Sequence, residues 1–219
     1  MQIESFSFEQ ELEDFTKINY QGIGNITLTQ GNQPKLKVSS KIEAEDAIEA
    51  KMVKGVLKLK VKDPFTLSLK SFARFEAPDL RVELVVKELE EIVFNGLGNM
   101  LNVGVLECYD LKLVNKGVGK VQLQLDVKSL TSKLEGAGTL EITGYGERHE
   151  CKLNGTGKID AKGFEVEEAV AVAHGIGRID VYASKKLEAK LTGVGTIRHY
   201  GDPDRIESKL KGMGSIIKG

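Results

Sequence analysis

Three carboxylates recur along this chain at near-constant steps. They are Glu141, Asp160 and Asp180, and Arg198 continues the series. Two positions before the column stand Thr139, Lys158 and Arg178, with Lys120 one repeat earlier. If each step is one turn of a repeating fold, the acids stack about 4.8 Å apart. Such a column offers oxygen ligands for calcium, or a pair of acids about 5–10 Å apart for attack on a glycosidic bond. The simpler chemistry is a solvated charge ladder in which Lys158 and Arg178 neutralise the neighbouring acids. Like charges at this spacing in water repel by only about 1 kcal/mol, so the column requires no metal. Acids in water on a regular strand also keep ordinary acidity, which leaves a hydrolase without its general acid. The ladder is the preferred reading, Glu141, Asp160 and Asp180 the candidate calcium column, and no cofactor is expected.

Other reactive residues do not assemble. His149 lies six positions before the first glycine of a repeat, His174 one before and His199 six after, so they occupy different phases and read as surface or loop histidines. A zinc site needs three or four ligands at one point. Cys108 and Cys151 fall in different phases after their repeat glycines, Gly96 and Gly136, roughly two turns apart and beyond the reach of a disulfide. Two free thiols are expected, with no Cys-x-x-Cys pair. Gly-x-Ser-x-Gly and His-Glu-x-x-His are absent, and no Gly-x-Gly here has the third glycine of a dinucleotide loop.

The element that must position these residues is a short phrase: EGAGTLEI from Glu135, NGTGKIDA from Asn154, HGIGRIDV from His174 and TGVGTIRH from Thr192. Its glycine pairs are Gly96 and Gly98, Gly117 and Gly119, Gly136 and Gly138, Gly155 and Gly157, Gly175 and Gly177, Gly193 and Gly195, and Gly212 and Gly214. The first glycines recur at a step of about 19 residues, the mark of a solenoid. An isolated early copy stands at Gly22 and Gly24. Four positions after each first glycine come Met100, Val121, Leu140, Ile159, Ile179, Ile197 and Ile216, all apolar. Two before it come Phe94, Asn115, Leu134, Leu153, Ala173, Leu191 and Leu210, apolar in six of seven cases. These columns read as stacked inward side chains of strands with one buried face. The glycines read as structural corners, where positive φ and close backbone approach exclude a Cβ.

No stretch keeps a 3.6-residue apolar stripe and no leucine-rich pattern appears, so helical and leucine-rich solenoids are excluded. The fold expected is all-β: a single-stranded β-helix or solenoid, right-handed by the crossover rule. About 19 residues make one turn of three short strands with Gly-x-Gly corners. Residues 1–17 read as an N-terminal leader and 18–219 as one solenoid domain. Within it, 18–95 form irregular N-terminal turns with an aromatic insertion over 63–78, a cap or a loop, and 96–219 form regular repeats.

Composition narrows the function. Lys plus Arg number 31 and Asp plus Glu 32, so no basic footprint for nucleic acid appears. Aromatic residues are 6% with no Trp, which removes the easiest stacking platforms. No apolar run is long enough for a transmembrane helix. The opening MQIESFSFEQELEDF carries acids where a signal peptide has basic and then apolar residues.

Four pieces in order, DFTKINYQGIGNITLTQG, AIEAKMVKGVLKLKVKD, LRVELVVKELEEIVFNGLGNM and RHYGDPDRIESKLKGMGSI with its Tyr200–Pro203 turn, resemble the GIN domain, the head domain of putative autotransporter adhesins in bacteria. The resemblance covers about residues 14–217. It implies a β-solenoid placed in the periplasm or at the cell surface, and it transfers no catalytic residues. The function it implies is a non-enzymatic, adhesin-like binding or structural module, whose partner is a cell-surface protein, a glycan or a second copy of itself. The alternative is a carbohydrate-binding or polysaccharide-degrading β-helix.

Overall fold

Alternating apolar and polar residues give every strand one inward face, and in this chain those faces meet as continuous stacks. The computed structural model describes residues 6–40, 48–62 and 80–219; the insertion read over 63–78 lies outside the described residues. The molecule is an all-β solenoid of about 7 turns, with parallel bridges about 19 residues apart. Strands Val118–Leu134, Ala137–Leu153 and Thr156–Ala173 stack in parallel, Val118 beside Ala137 and Ala137 beside Thr156. The next turns each use two strands, Ile176–Tyr182 with Lys186–Leu191, then Val194–Tyr200 with Arg205–Leu210, before Met213–Lys218.

The turns therefore contain one or two strands rather than three short ones. Between Ala137 and Leu153 the chain bends without losing its ladder, so a corner need not interrupt the strand. Met100, Val121, Leu140, Ile159, Ile179 and Ile197 are fully buried in one column. Each such side chain is worth roughly 1.5–3 kcal/mol of burial. The polar member of the second column, Asn115, is also buried; its Oδ1 accepts the Gly117 N–H at 2.9 Å, two positions on, and so satisfies the corner.

The long gap between Gly22 and Gly96 closes in space. Lys17–Ile23 lies in parallel between Val56–Val61 and Glu91–Leu97, with Gly22 beside Gly96. Asn25–Gln30 lies likewise between Arg81–Val86 and Met100–Val103. The earliest Gly-x-Gly turn is thus held between strands that come later in the chain. Tyr20 stacks on Phe94 at 5.6 Å and donates its hydroxyl to the Ile23 carbonyl at 2.8 Å. Outside these turns the pairing becomes antiparallel. Phe6–Glu11, within the segment read as a leader, pairs with Lys35–Ser40, and that strand with Arg81–Val86. Ile48–Val53 and Val56–Val61 form a hairpin through Lys54 and Gly55, whose φ values of 52° and 74° suit its two-residue turn.

At most corners the two glycines do different work. Gly155 has no positive φ, but a Cβ there would lie 2.0 Å from the Gly136 carbonyl oxygen. Gly157 combines a φ of +140° with a Cβ position 1.9 Å from the Gly138 carbonyl oxygen. Gly55 has positive φ and open space around its Cβ position. Gly55→Ala should therefore cost only the backbone strain, about 1 kcal/mol, whereas Gly157→Ala adds a clash with rigid backbone and should cost about 3 kcal/mol or more. Urea denaturation of the two variants checks this, and equal losses would refute the close-approach argument.

Candidate functional site

The charge column stands where the repeat places it. Glu141, Asp160, Asp180 and Arg198 lie beside one another in successive strands. Lys120 pairs with Glu141 at 2.6 Å, and Arg178 with Asp180 at 3.0 Å. The Lys158 ammonium contacts Asp160 and also reaches Asp180 at 3.4 Å. A cation of the chain's own thus sits between two of the acids a calcium ion would use. Asp180 is only 2% exposed, so this part of the ladder is covered rather than solvated. Among the described residues no group of three or more His, Cys, Asp or Glu is gathered to hold a metal.

The histidines divide. His174 is exposed beside Thr192, and His199 is buried to 8% exposure. His149 is completely buried, contrary to its reading as a surface or loop residue. Its register places it between Leu130 and Ala169, in an inward column where the small alanine leaves room for the ring. Its Nε2 lies 2.9 Å from the Ser132 hydroxyl, and Phe164 meets its ring edge-on at 5.4 Å. Ser132 is buried as well, so this pair is closed to any substrate and serves the core. Both cysteines are free; burial pushes the Cys151 thiol up to about 12 and the Cys108 thiol up to about 11.

Two features escape a reading of the repeat alone. One is the residue between the paired glycines: Leu97, Val118, Ile176, Val194 and Met213 stand exposed along one corner, with Ala137 and Thr156 between Val118 and Ile176 in the register. Their apolar character is visible in the sequence, but their outward direction is not. The other is Gly144-Tyr145-Gly146, an out-of-phase copy of the phrase. A Cβ at Gly146 would lie 2.9 Å from the Phe164 ring, so this glycine admits the aromatic that packs on His149.

The outer surface carries an open groove of about 1060 Å³, between the segment at 88–90 and the strand Leu106–Asn115. Glu88, Glu90, Glu107, Asp110 and Asp126 line it, and among the described lining residues Lys112 alone is basic. Elsewhere many acids are paired, within a strand as in Glu150 with Lys152 and Glu188 with Lys186, or between turns as in Glu168 with Arg148. In the groove, Glu88, Glu107, Asp110 and Asp126 have no ion-pair partner among the described residues. Tyr109 stands at its rim, 68% exposed, with the Lys128 ammonium 4.9 Å from the ring centroid and 2.7 Å from the hydroxyl. Side-chain amides hold the wall in place. Gln30 donates to the carbonyls of Lys87 and Glu107 at 3.1 and 3.0 Å and accepts the Glu107 N–H at 2.8 Å, bridging the two sides as a strand would.

Parallel turns about 19 residues apart, stacked on continuous buried columns, make this a β-solenoid repeat protein. Residues 14–203 match the family described as putative auto-transporter adhesin, head GIN domain, and the chain belongs to that family. Among solved structures it is similar to a putative adhesin from Bacteroides fragilis NCTC 9343, with 22% identity over 99% of this chain and 97% of that one and a TM-score of 0.88. A putative adhesin from Parabacteroides merdae ATCC 43184 is similar at 18% identity, covering 99% and 96%, with a TM-score of 0.77. A protein from Parabacteroides distasonis ATCC 8503 described as a putative lipid binding protein shares 22% identity over 98% and 97%, with a TM-score of 0.66. These likenesses establish the fold. No curated protein matches the sequence.

The buried histidine makes stability depend on pH. Burial pushes the His149 imidazole down from 6.5 to about 3. The unfolded chain thus takes up a proton at pH values where the folded chain does not. The contribution is complete above pH 6.5 and is lost as pH falls towards 3, at about 1.4 kcal/mol per pH unit. Denaturant titrations between pH 6 and 4 should show a steeper loss for the wild type than for His149→Leu by about that slope; parallel curves would refute it.

Proposed function

We propose that the chain is a non-enzymatic, extracytoplasmic adhesin-like module that binds a cell-surface protein or glycan along its outer face. The observation that carries the reading is the groove beside Tyr109, where unpaired carboxylates collect on a solenoid whose other outer acids are largely paired. Such a groove favours cationic or hydrogen-bond-donating groups on the partner, and the exposed Tyr109 ring adds an apolar face to them. Membership of the adhesin-head family supports the binding role and the extracytoplasmic setting.

Carbohydrate binding is the second reading, favoured by that same exposed ring. Degradation of a polysaccharide is less well supported. The groove acids are solvent-exposed, whereas a glycosidase needs one carboxyl held protonated by an apolar surrounding. A glycan and surface-protein panel, run with a reducing-sugar assay, separates these readings. Binding without sugar release, weakened about tenfold by Tyr109→Ala, is the expected result. Release of reducing sugar would replace the proposal with a hydrolase, and a panel blank for every partner would remove the groove as the site.

A further inference from the structure

We infer that the groove is a strand-wide gap in the solenoid, and that it takes an extended segment of a partner polypeptide with lysine or arginine on its outward side. The inference rests on the proposed reading of the groove as a binding site and names the partner's chemistry. Lys17–Ile23 and Asn25–Gln30 lie between neighbouring turns on two sides of the solenoid. On the third side this turn supplies no strand: the chain turns away after Gln30, and Lys35–Ser40 pairs antiparallel with Arg81–Val86. Leu106–Asn115 is therefore bridged on one side to 125–134, but among the described residues its other side is bridged only from Lys112 onward, to 91–94. Side chains stand in for the strand. The Gln30 amide joins the Lys87 and Glu107 carbonyls and the Glu107 N–H, bonds that a peptide unit would make. The Leu89 N–H meets the Cys108 sulfur, a weaker acceptor than a peptide carbonyl. One amide spanning both walls sets them two ladder spacings apart, about 9–10 Å, which is the room one strand needs.

Backbone and charge together select the occupant. The gap runs from the Gln30 bridge at Glu107 to the bond from the Lys112 N–H to the Glu90 carbonyl at 2.8 Å. Between them the edge of 108–111 has room for about four residues at about 3.3 Å each. An unpaired edge of this kind accepts an extended peptide by strand addition. The floor is apolar, with Leu89 and Leu111 buried and Cys108 half-buried, and suits a small inward side chain. The rim is acidic. Glu88 on one wall and Glu107 on the other stand one repeat step apart with the gap between them, and neither has an ion-pair partner among the described residues. An outward side chain on the added segment lies beside both, with Asp110 farther along, so a cation there answers carboxylates left unanswered by the chain itself. Apolar floor and acidic rim match the two faces of an extended peptide, whose side chains alternate with a period of two.

Three probes test this on the 219-residue protein: a blocked peptide of alternating lysine and valine, the same peptide N-methylated along its backbone, and a glutamate–valine counterpart. Titration is followed by amide hydrogen exchange. Amides within 108–111 that the ladder leaves open should exchange readily in the free protein and slow about tenfold with the lysine–valine peptide. N-methylation removes backbone donors and keeps the charge, and it should weaken binding about tenfold. Glu88→Lys combined with Glu107→Lys, two exposed positions, should do the same. Protection of these amides already in the free protein, binding indifferent to N-methylation or to the charge reversal, or equal binding of the acidic peptide overturns the inference. A panel partner bound through Tyr109 while the lysine–valine peptide fails also overturns it and leaves the adhesin-like reading standing; failure of both overturns both.

Discussion

The structure depends on how closely one turn can lie on the next. At each corner the carbonyl oxygen of one glycine occupies the place where the Cβ of its neighbour in the following turn would stand, about 2 Å away at Gly117, Gly136, Gly175 and Gly193. That approach lets the ladder hydrogen bonds pass round the bend, as from the Gly155 N–H to the Leu134 carbonyl at 2.9 Å. Because the ladder is kept, residues four positions beyond each glycine fall into one buried column, and the core assembles as stacks rather than as contacts within a turn. A corner built on any side chain would push neighbouring turns apart and open every column at once.

This constraint explains what is legible in the sequence. A constant step fixes which side chains are neighbours, so the apolar columns and the Glu141, Asp160 and Asp180 stack can be placed without coordinates. The placement of 17–30 between later strands cannot. It depends on parallel pairing of Lys17–Ile23 with Val56–Val61 and with Glu91–Leu97, and neither partner announces its register by spacing alone. His149 is misplaced whenever polarity is read as exposure. Its column is inward, and only the combined gaps at Ala169 and Gly146 make the ring fit. The groove is legible in part: Glu88, Glu107 and Asp126 follow one another at the repeat step and form a column, but the opening between the first two walls, bridged by the Gln30 amide rather than by a strand, is not visible in the spacing.

Charge is handled in two different ways on this frame. On the regular turns a basic residue answers most acids, either two positions away on the same strand or in the adjacent turn, as Lys120 does for Glu141, and Lys158 does both, contacting Asp160 and reaching Asp180. The more exposed of these pairs contribute little to stability individually. Their consequence is a surface without a strong field, consistent with a net charge of −1 for the whole chain. Against that quiet background a groove with five carboxylates and one lysine is a local exception. Electrostatic complementarity acts chiefly on specificity and association rate, so on the proposed reading the groove would select among partners without requiring a large change in the fold.

The same frame also separates core chemistry from surface chemistry. Asn115 and Ser132, polar groups that the stacks enclose, each bond locally, the Asn115 Oδ1 accepting the Gly117 N–H and Ser132 meeting His149, while Asn115 Nδ2 and His149 Nδ1 find no partner among the described residues, and neither group opens to a substrate. Among the described residues these buried reactive types serve the core, because a solenoid of this bore fills its interior with the side chains of its inward positions. What it leaves free among the described residues is its outside: the groove wall and the exposed corner residues between paired glycines. Variation at these positions costs the columns nothing. A scaffold whose stability resides in glycine contacts and inward stacks can thus change its partner by changing outward residues alone, and this is the physical sense in which the fold suits recognition.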